Sequence, residues 1–111
     1  MNPPVPSQPS ASSPDSALPA LPALATFTLR QLAYFVGAAE AGTTAGAAQR
    51  FYLSQSSMSA ALTELEAALG VQLFIRRRGK ALELTSTGLA LLPEARHLVR
   101  AADEFSGRAG A

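Results

Sequence analysis

Cysteine is absent from the chain, and histidine occurs once, at His97. The first absence excludes disulfides and thiolate metal sites. The second leaves no imidazole cluster for a metal. It also puts no base beside the plentiful serines, as nucleophilic catalysis requires. Gly79 and Gly88 stand apart, so there is no glycine-rich phosphate loop. Catalysis is not expected. Tryptophan is missing and aromatics are few, so the apolar content rests on Ala and Leu, which favour helices. No stretch approaches the roughly 20 apolar residues of a membrane-spanning helix. The N-terminus lacks the basic start and unbroken apolar core of a secretory signal. The expected location is therefore the cytoplasm. Net charge is also scarce, at +1, so the total names no polyanionic partner.

What is present is ordered along the chain. Residues 1–25 hold every proline except Pro93, mixed with Ser and Ala. Proline fixes φ and removes amide donors, so a disordered arm is expected there. Thr28 and Gln31 fit a capping box. Leu32, Phe35, Val36 and Ala39 then follow at helical spacing, and Gly42 closes the helix. Thr43 or Thr44 can cap a short second helix whose Ala47, Ala48 and Phe51 face inward. After a tight connection at Leu53 and Ser54, a third helix carries Met58, Leu62, Leu65 and Leu69 as its buried stripe, with Gly70 as C-cap. Leu73–Arg76 and Ala81–Leu84 read as two short strands around Arg77-Arg78-Gly79-Lys80. A final helix is expected from Ser86 to Phe105, capped by Thr85 and bent at Pro93. Its Leu91, Ala95, Leu98, Ala102 and Phe105 alternate spacings of four and three, a seam suited to a partner helix.

The third helix has an uncommon outer side. At about 100° per residue, the side away from the stripe presents Ser56, Ser59, Ala60, Thr63 and Ala67. Small side chains allow close approach, and hydroxyls can meet phosphates or base edges. Ser54, Gln55, Ser56 and Ser57 gather at the N-terminal end, where free amides favour anions. Glu64, Glu66 and Glu94 read as surface charges away from this face. The face fits a DNA groove, and it also fits another helix; periodicity alone leaves both open. The basic loop is likewise either solvated or a phosphate contact. Two short helices joined by a tight turn and followed by a basic hairpin describe a winged helix-turn-helix.

The segments LRQLAYFVGAAEAG, AAQR, LSQSSMSAALTELEAALGVQLFIR and LELTSTGLALLPEAR resemble, in order and spacing, the N-terminal domain of LysR-type transcriptional regulators. The resemblance covers about residues 27–106. It implies a mainly α fold: a winged helix-turn-helix with a two-stranded wing and a long C-terminal linker helix. It also implies sequence-specific binding of double-stranded DNA, and a homodimer, with a tetramer left open. Gln55, Ser56 and Ser59 match positions that meet bases or phosphates in the major groove. Ala60 matches a position often held by Arg, and Thr63 one that is often basic. Arg76, Arg77, Arg78 and Lys80 match the wing, and Thr43 and Thr44 lie where the second helix meets the backbone. Leu91, Leu98 and Phe105 fall on the dimerising seam.

The expected organisation is a disordered arm over residues 1–25, a DNA-binding domain over 26–84, a linker helix over 85–106 and a flexible end over 107–111. Three departures from the family pattern imply weaker base readout. Ala60 cannot hydrogen-bond a guanine, Ser56 stands where Pro is common, and Thr44-Ala45-Gly46 replaces an aromatic and a basic residue. Family members usually continue into a ligand-binding domain. The sequence stops at Ala111, so neither a small-molecule effector nor a cofactor is expected on this chain. The alternative function is a protein-interaction module that pairs with full-length relatives without productive DNA binding.

Overall fold

Every helix among the described residues begins at a hydroxyl. Thr28, Thr43, Ser54 and Thr85 accept from the amides of Gln31, Gly46, Ser57 and Gly88, at 2.9–3.1 Å. Each cap bonds an amide that the helix itself cannot satisfy. The computed structural model describes residues 27–77 and 81–110. The arm read at 1–25 lies outside the described residues, as do Arg78, Gly79 and Lys80. The elements are α1 (Leu29–Ala41), α2 (Thr44–Arg50), α3 (Gln55–Leu69), β1 (Phe74–Arg76), β2 (Leu82–Leu84) and α4 (Ser86–Ala109). At Thr28 the box is complete, because Gln31 Oε1 accepts from the Thr28 amide at 2.9 Å. Gly42 and Gly70 end α1 and α3 at φ 76° and 69°, left-handed conformations that cost glycine little.

Helix α1 is the centre of the packing and touches α2, α3 and α4. It buries Leu32, Tyr34, Phe35 and Ala38, while Val36 and Ala39 are only half-buried. The spacing rule favoured the latter pair. The face turns because neighbours flank α1 on more than one side. Ala47 and Ala48 of α2 are buried without bulk, so α2 sits close to α1. Met58, Leu62 and Leu65 of α3 complete the layer, and Leu69 is half-buried at its edge. Two edge-to-face aromatic pairs, Tyr34–Phe51 at 4.9 Å and Phe35–Phe74 at 5.6 Å, tie α1 to the α2–α3 turn and to β1.

β1 and β2 form an antiparallel hairpin pairing Phe74 with Leu84, Ile75 with Glu83 and Arg76 with Leu82. The expected strands were one residue longer. Leu73 instead gives its carbonyl to the Thr85 amide at 3.0 Å. Ala81 bridges to Thr43, and the Leu82 amide donates to Gly42 O at 2.9 Å. The hairpin is thus hydrogen-bonded to the α1–α2 turn.

Helix α4 runs unbroken through Pro93. Leu89 and Pro93 are both exposed, so the missing bond falls on the solvent-facing side of the helix. The helix also continues past the expected end at 106 to Ala109, where the Gly110 amide donates to Ser106 O at 3.1 Å. Propagation adds one bond per residue fixed, which carries it through Gly107. At its start, Gly88 is buried, and a Cβ there would overlap the Leu73 carbonyl. Gly88→Ala is therefore expected to destabilise the fold by about 1–3 kcal/mol through forced displacement of backbone. Chemical denaturation reads this directly, and unchanged stability would contradict the packing.

Candidate nucleic-acid interface

The turn between α2 and α3 is built on four backbone bonds, one of them from the Tyr52 amide to Gln49 O at 3.3 Å. The Phe51 amide is shared by the Ala47 and Ala48 carbonyls at 3.3 Å, and the Leu53 amide donates to Ala48 O at 2.9 Å. Reversing the chain in so few residues puts Tyr52 at φ 56°, a left-handed backbone that a non-glycine residue rarely adopts. The residue is 96% exposed.

The turn delivers α3 with an exposed tip. Ser54, Gln55, Ser56 and Ser57 are all exposed. Their hydroxyls are not equivalent. Ser54 Oγ accepts the Ser57 amide at 3.0 Å, donates to Ser57 Oγ at 2.8 Å and lies 3.2 Å from Ser56 Oγ. Ser54 is therefore committed to the cap, and Gln55 and Ser56 are the forward groups. Along the outer side, Ala60, Thr63 and Ala67 are exposed and Ser59 is half-buried. Thr63 Oγ1 donates to Ser59 O at 3.0 Å, leaving the hydroxyl oxygen as an outward acceptor. No other part of the described chain covers this side.

Thr43 and Thr44 are half-buried. The Thr43 hydroxyl caps α2, and its backbone bridges Ala81, so its work is structural. A Cβ on Gly46 would stand 2.9 Å from Thr43 Oγ1 and 3.3 Å from Ala41 Cβ. Glycine at position 46 thus permits the cap, which offsets its weak helix propensity.

On the hairpin, Arg76 and Arg77 are both paired. Arg77 Nη2 and Nε lie 2.8 and 2.9 Å from Glu83 Oε2. Arg76 Nη2 lies 3.2 Å from Glu66 Oε1. Two arginines against two glutamates leave this part of the wing without net charge.

Glu66 is the residue that sequence reasoning misplaced. It is no free surface charge: its side chain is 12% exposed. Its Oε2 accepts from the Leu73 and Phe74 amides at 2.7 and 3.2 Å, so the last turn of α3 grips the start of β1. One signal was available. A carboxylate in the last turn opposes the helix dipole and needs a compensating partner.

The seam on α4 divides. Ala95 is 4% exposed and belongs to the domain's own core beside Leu92, so it offers no free surface. Ala102 is half-buried, and Leu91 lines an apolar groove of about 180 Å³ with Phe27, Leu32, Leu69 and Leu98. Leu98 and Phe105 stay 46% and 75% exposed. The division follows from geometry: an alternation of four and three drifts around a straight 3.6-residue helix, so one row cannot face one neighbour throughout. Glu40 braces the other flank, 2.8 Å from Arg50 Nη1 and 3.7 Å from Arg96 Nε.

A capped helix pair with an exposed second helix, a two-stranded hairpin at its flank and a long closing helix define a winged helix-turn-helix protein. The family model described as bacterial regulatory helix-turn-helix protein, lysR family, matches residues 29–89, and the chain belongs to that family. It is 43% identical over 81 residues to the HTH-type transcriptional regulator TcbR of Pseudomonas sp. (strain P51), covering 73% of this chain and 26% of TcbR. Against YeiE of Escherichia coli (strain K12), an uncharacterized HTH-type transcriptional regulator, identity is 48% over 78 residues, with 70% and 26% covered. The chain thus spans about a quarter of the length of these curated relatives. Among solved structures, a CbnR DBD–DNA complex superposes with a TM-score of 0.69 at 40% identity, over 75% of this chain and 94% of that one. A Corynebacterium glutamicum OxyR C206 mutant gives 0.71 at 41% identity, over 75% and 26%.

Proposed function

We propose that the chain is the DNA-reading part of a transcriptional regulator, with α3 in the major groove and the hairpin on the backbone. One observation carries this reading: the tip and outer side of α3 are exposed, small and uncharged, and are left open by the rest of the domain. An α-helix with side chains is about 10–12 Å across and the major groove about 12 Å wide. Trimming the outer side to Ser, Ala and Thr lets α3 seat deeply. The likeness to the CbnR DBD–DNA complex supports DNA as the partner. Gln55, Ser56, Ser59 and Thr63 supply hydrogen-bonding groups. Ala60 supplies none, which forgoes about 1–3 kcal/mol of discrimination at one base pair.

The same reading makes the protein a homodimer through α4. Leu98, Phe105 and the groove beside Leu91 form an apolar strip that suits burial against a second copy. Two α3 helices then enter successive major grooves, and half-sites follow the two-fold axis. The protein acts in the cytoplasm and without catalysis, in keeping with relatives named as transcriptional regulators. No helix among the described residues is long and apolar enough to cross a membrane.

Titrating a palindromic duplex across a salt series tests this. Affinity is expected to fall with salt. Arg77→Ala with Arg78→Ala should flatten the log–log slope by about 0.9 for each phosphate that the wing no longer neutralises. Binding that ignores salt, or none at any salt, would defeat the proposal. The exposed Leu98 and Phe105 favour one rival, a pairing module that acts on full-length relatives without DNA. Under that rival the two arginine changes leave activity intact.

A further inference from the structure

The two described wing arginines are held in different ways, and the difference has a functional consequence. Arg76 is bound to a nearly buried carboxylate that also accepts two backbone amides, so releasing it would strip Glu66 of part of a built joint. Arg77 is bound to Glu83 with side chains 60% and 55% exposed, both nitrogens converging on a single oxygen. Water reaches both partners, and such an exposed pair biases its own closure by at most about fivefold. Arg77 is therefore freer to change partner than Arg76, whose carboxylate is nearly buried.

Resting on the DNA reading above, we propose that Glu83 competes with the phosphate backbone for Arg77 and so acts as a brake on wing affinity. A phosphate offers several strong acceptor oxygens to the guanidinium fork. When Arg77 crosses to it, the Glu83 carboxylate is left unpaired beside a polyanion. Each engagement of the wing thus breaks one ion pair and leaves one like-charge repulsion. Because backbone binding is blind to sequence, the brake lowers affinity for any duplex and leaves discrimination to α3.

The test is a four-protein cycle on a random-sequence duplex at low salt: the unaltered chain, Glu83→Gln, Arg77→Ala and the double variant. Fluorescence anisotropy gives Kd, and thermal melts confirm that each protein is folded. Glu83→Gln is expected to tighten binding about fivefold, the factor that matches loss of one exposed pair. In the Arg77→Ala background the gain should shrink below about twofold, because the competed cation is gone. Glu83→Ser, a second neutral replacement on the exposed hairpin, should tighten binding likewise. An equal gain in both backgrounds would assign the effect to net charge and overturn the proposal, and no gain in either would do the same. Those failures spare the DNA reading as long as the unaltered chain binds. Absence of binding by all four proteins would overturn both.

Discussion

Changing Leu98 and Phe105 together to glutamate is expected to leave the domain folded and to weaken binding to a two-half-site duplex by about 100-fold or more. The size of the loss comes from bivalency. Two joined reading heads convert the second engagement into an intramolecular step, and separate heads forfeit that gain. The fold should survive because neither side chain belongs to the protomer's core. Leu98 and Phe105 are 46% and 75% exposed, whereas Leu92 and Ala95, which dock α4 on its own domain, stay in place. Sedimentation should show a monomer whose melt matches that of the unaltered chain. A variant that stayed dimeric would move the seam elsewhere, and one that unfolded would show that these residues serve the protomer.

Glu66→Ala is expected to cost about 2–4 kcal/mol of unfolding free energy, a large fraction of a small domain's stability. The loss has two sources. The Leu73 and Phe74 amides lose their acceptor at the edge of the core, and Arg76 loses its partner. Glu66→Gln should be milder, since its amide oxygen still accepts from the backbone while the ion pair is removed. Denaturant unfolding of the two variants separates these contributions. Equal stability of the alanine and glutamine variants would mean that the bonds from the two backbone amides matter little.

Much of the frame was legible because it depends on local chemistry. The caps at Thr28 and Thr85, the Gly42 and Gly70 stops, the Met58–Leu62–Leu65 stripe and the hairpin flanking the basic loop each need only a few neighbouring residues. What escaped depends on residues distant in sequence. Glu66 is a surface carboxylate by composition, and only the return of the chain at Leu73 gives it amides to bind. Gly88 looks like an isolated glycine until the Leu73 carbonyl is found against it. Ala95 fits a partner-facing seam by spacing, yet the domain's own core takes it first. At the candidate interface, the exposed side of α3 followed from helical periodicity. The pairing of Arg76 and Arg77 with two separate glutamates did not, because β-register and side-chain reach decide it. Arg78 and Lys80 lie outside the described residues.

The hairpin is fastened on both strands. Glu66 grips the first through the Leu73 and Phe74 amides, and the Gly42–Thr43 backbone bonds Ala81 and Leu82 beside the second. A flap bound at both hems resists swinging at its base. On the proposed DNA reading, more of any misfit in groove width then falls to the double helix, whose stiffness varies with base step.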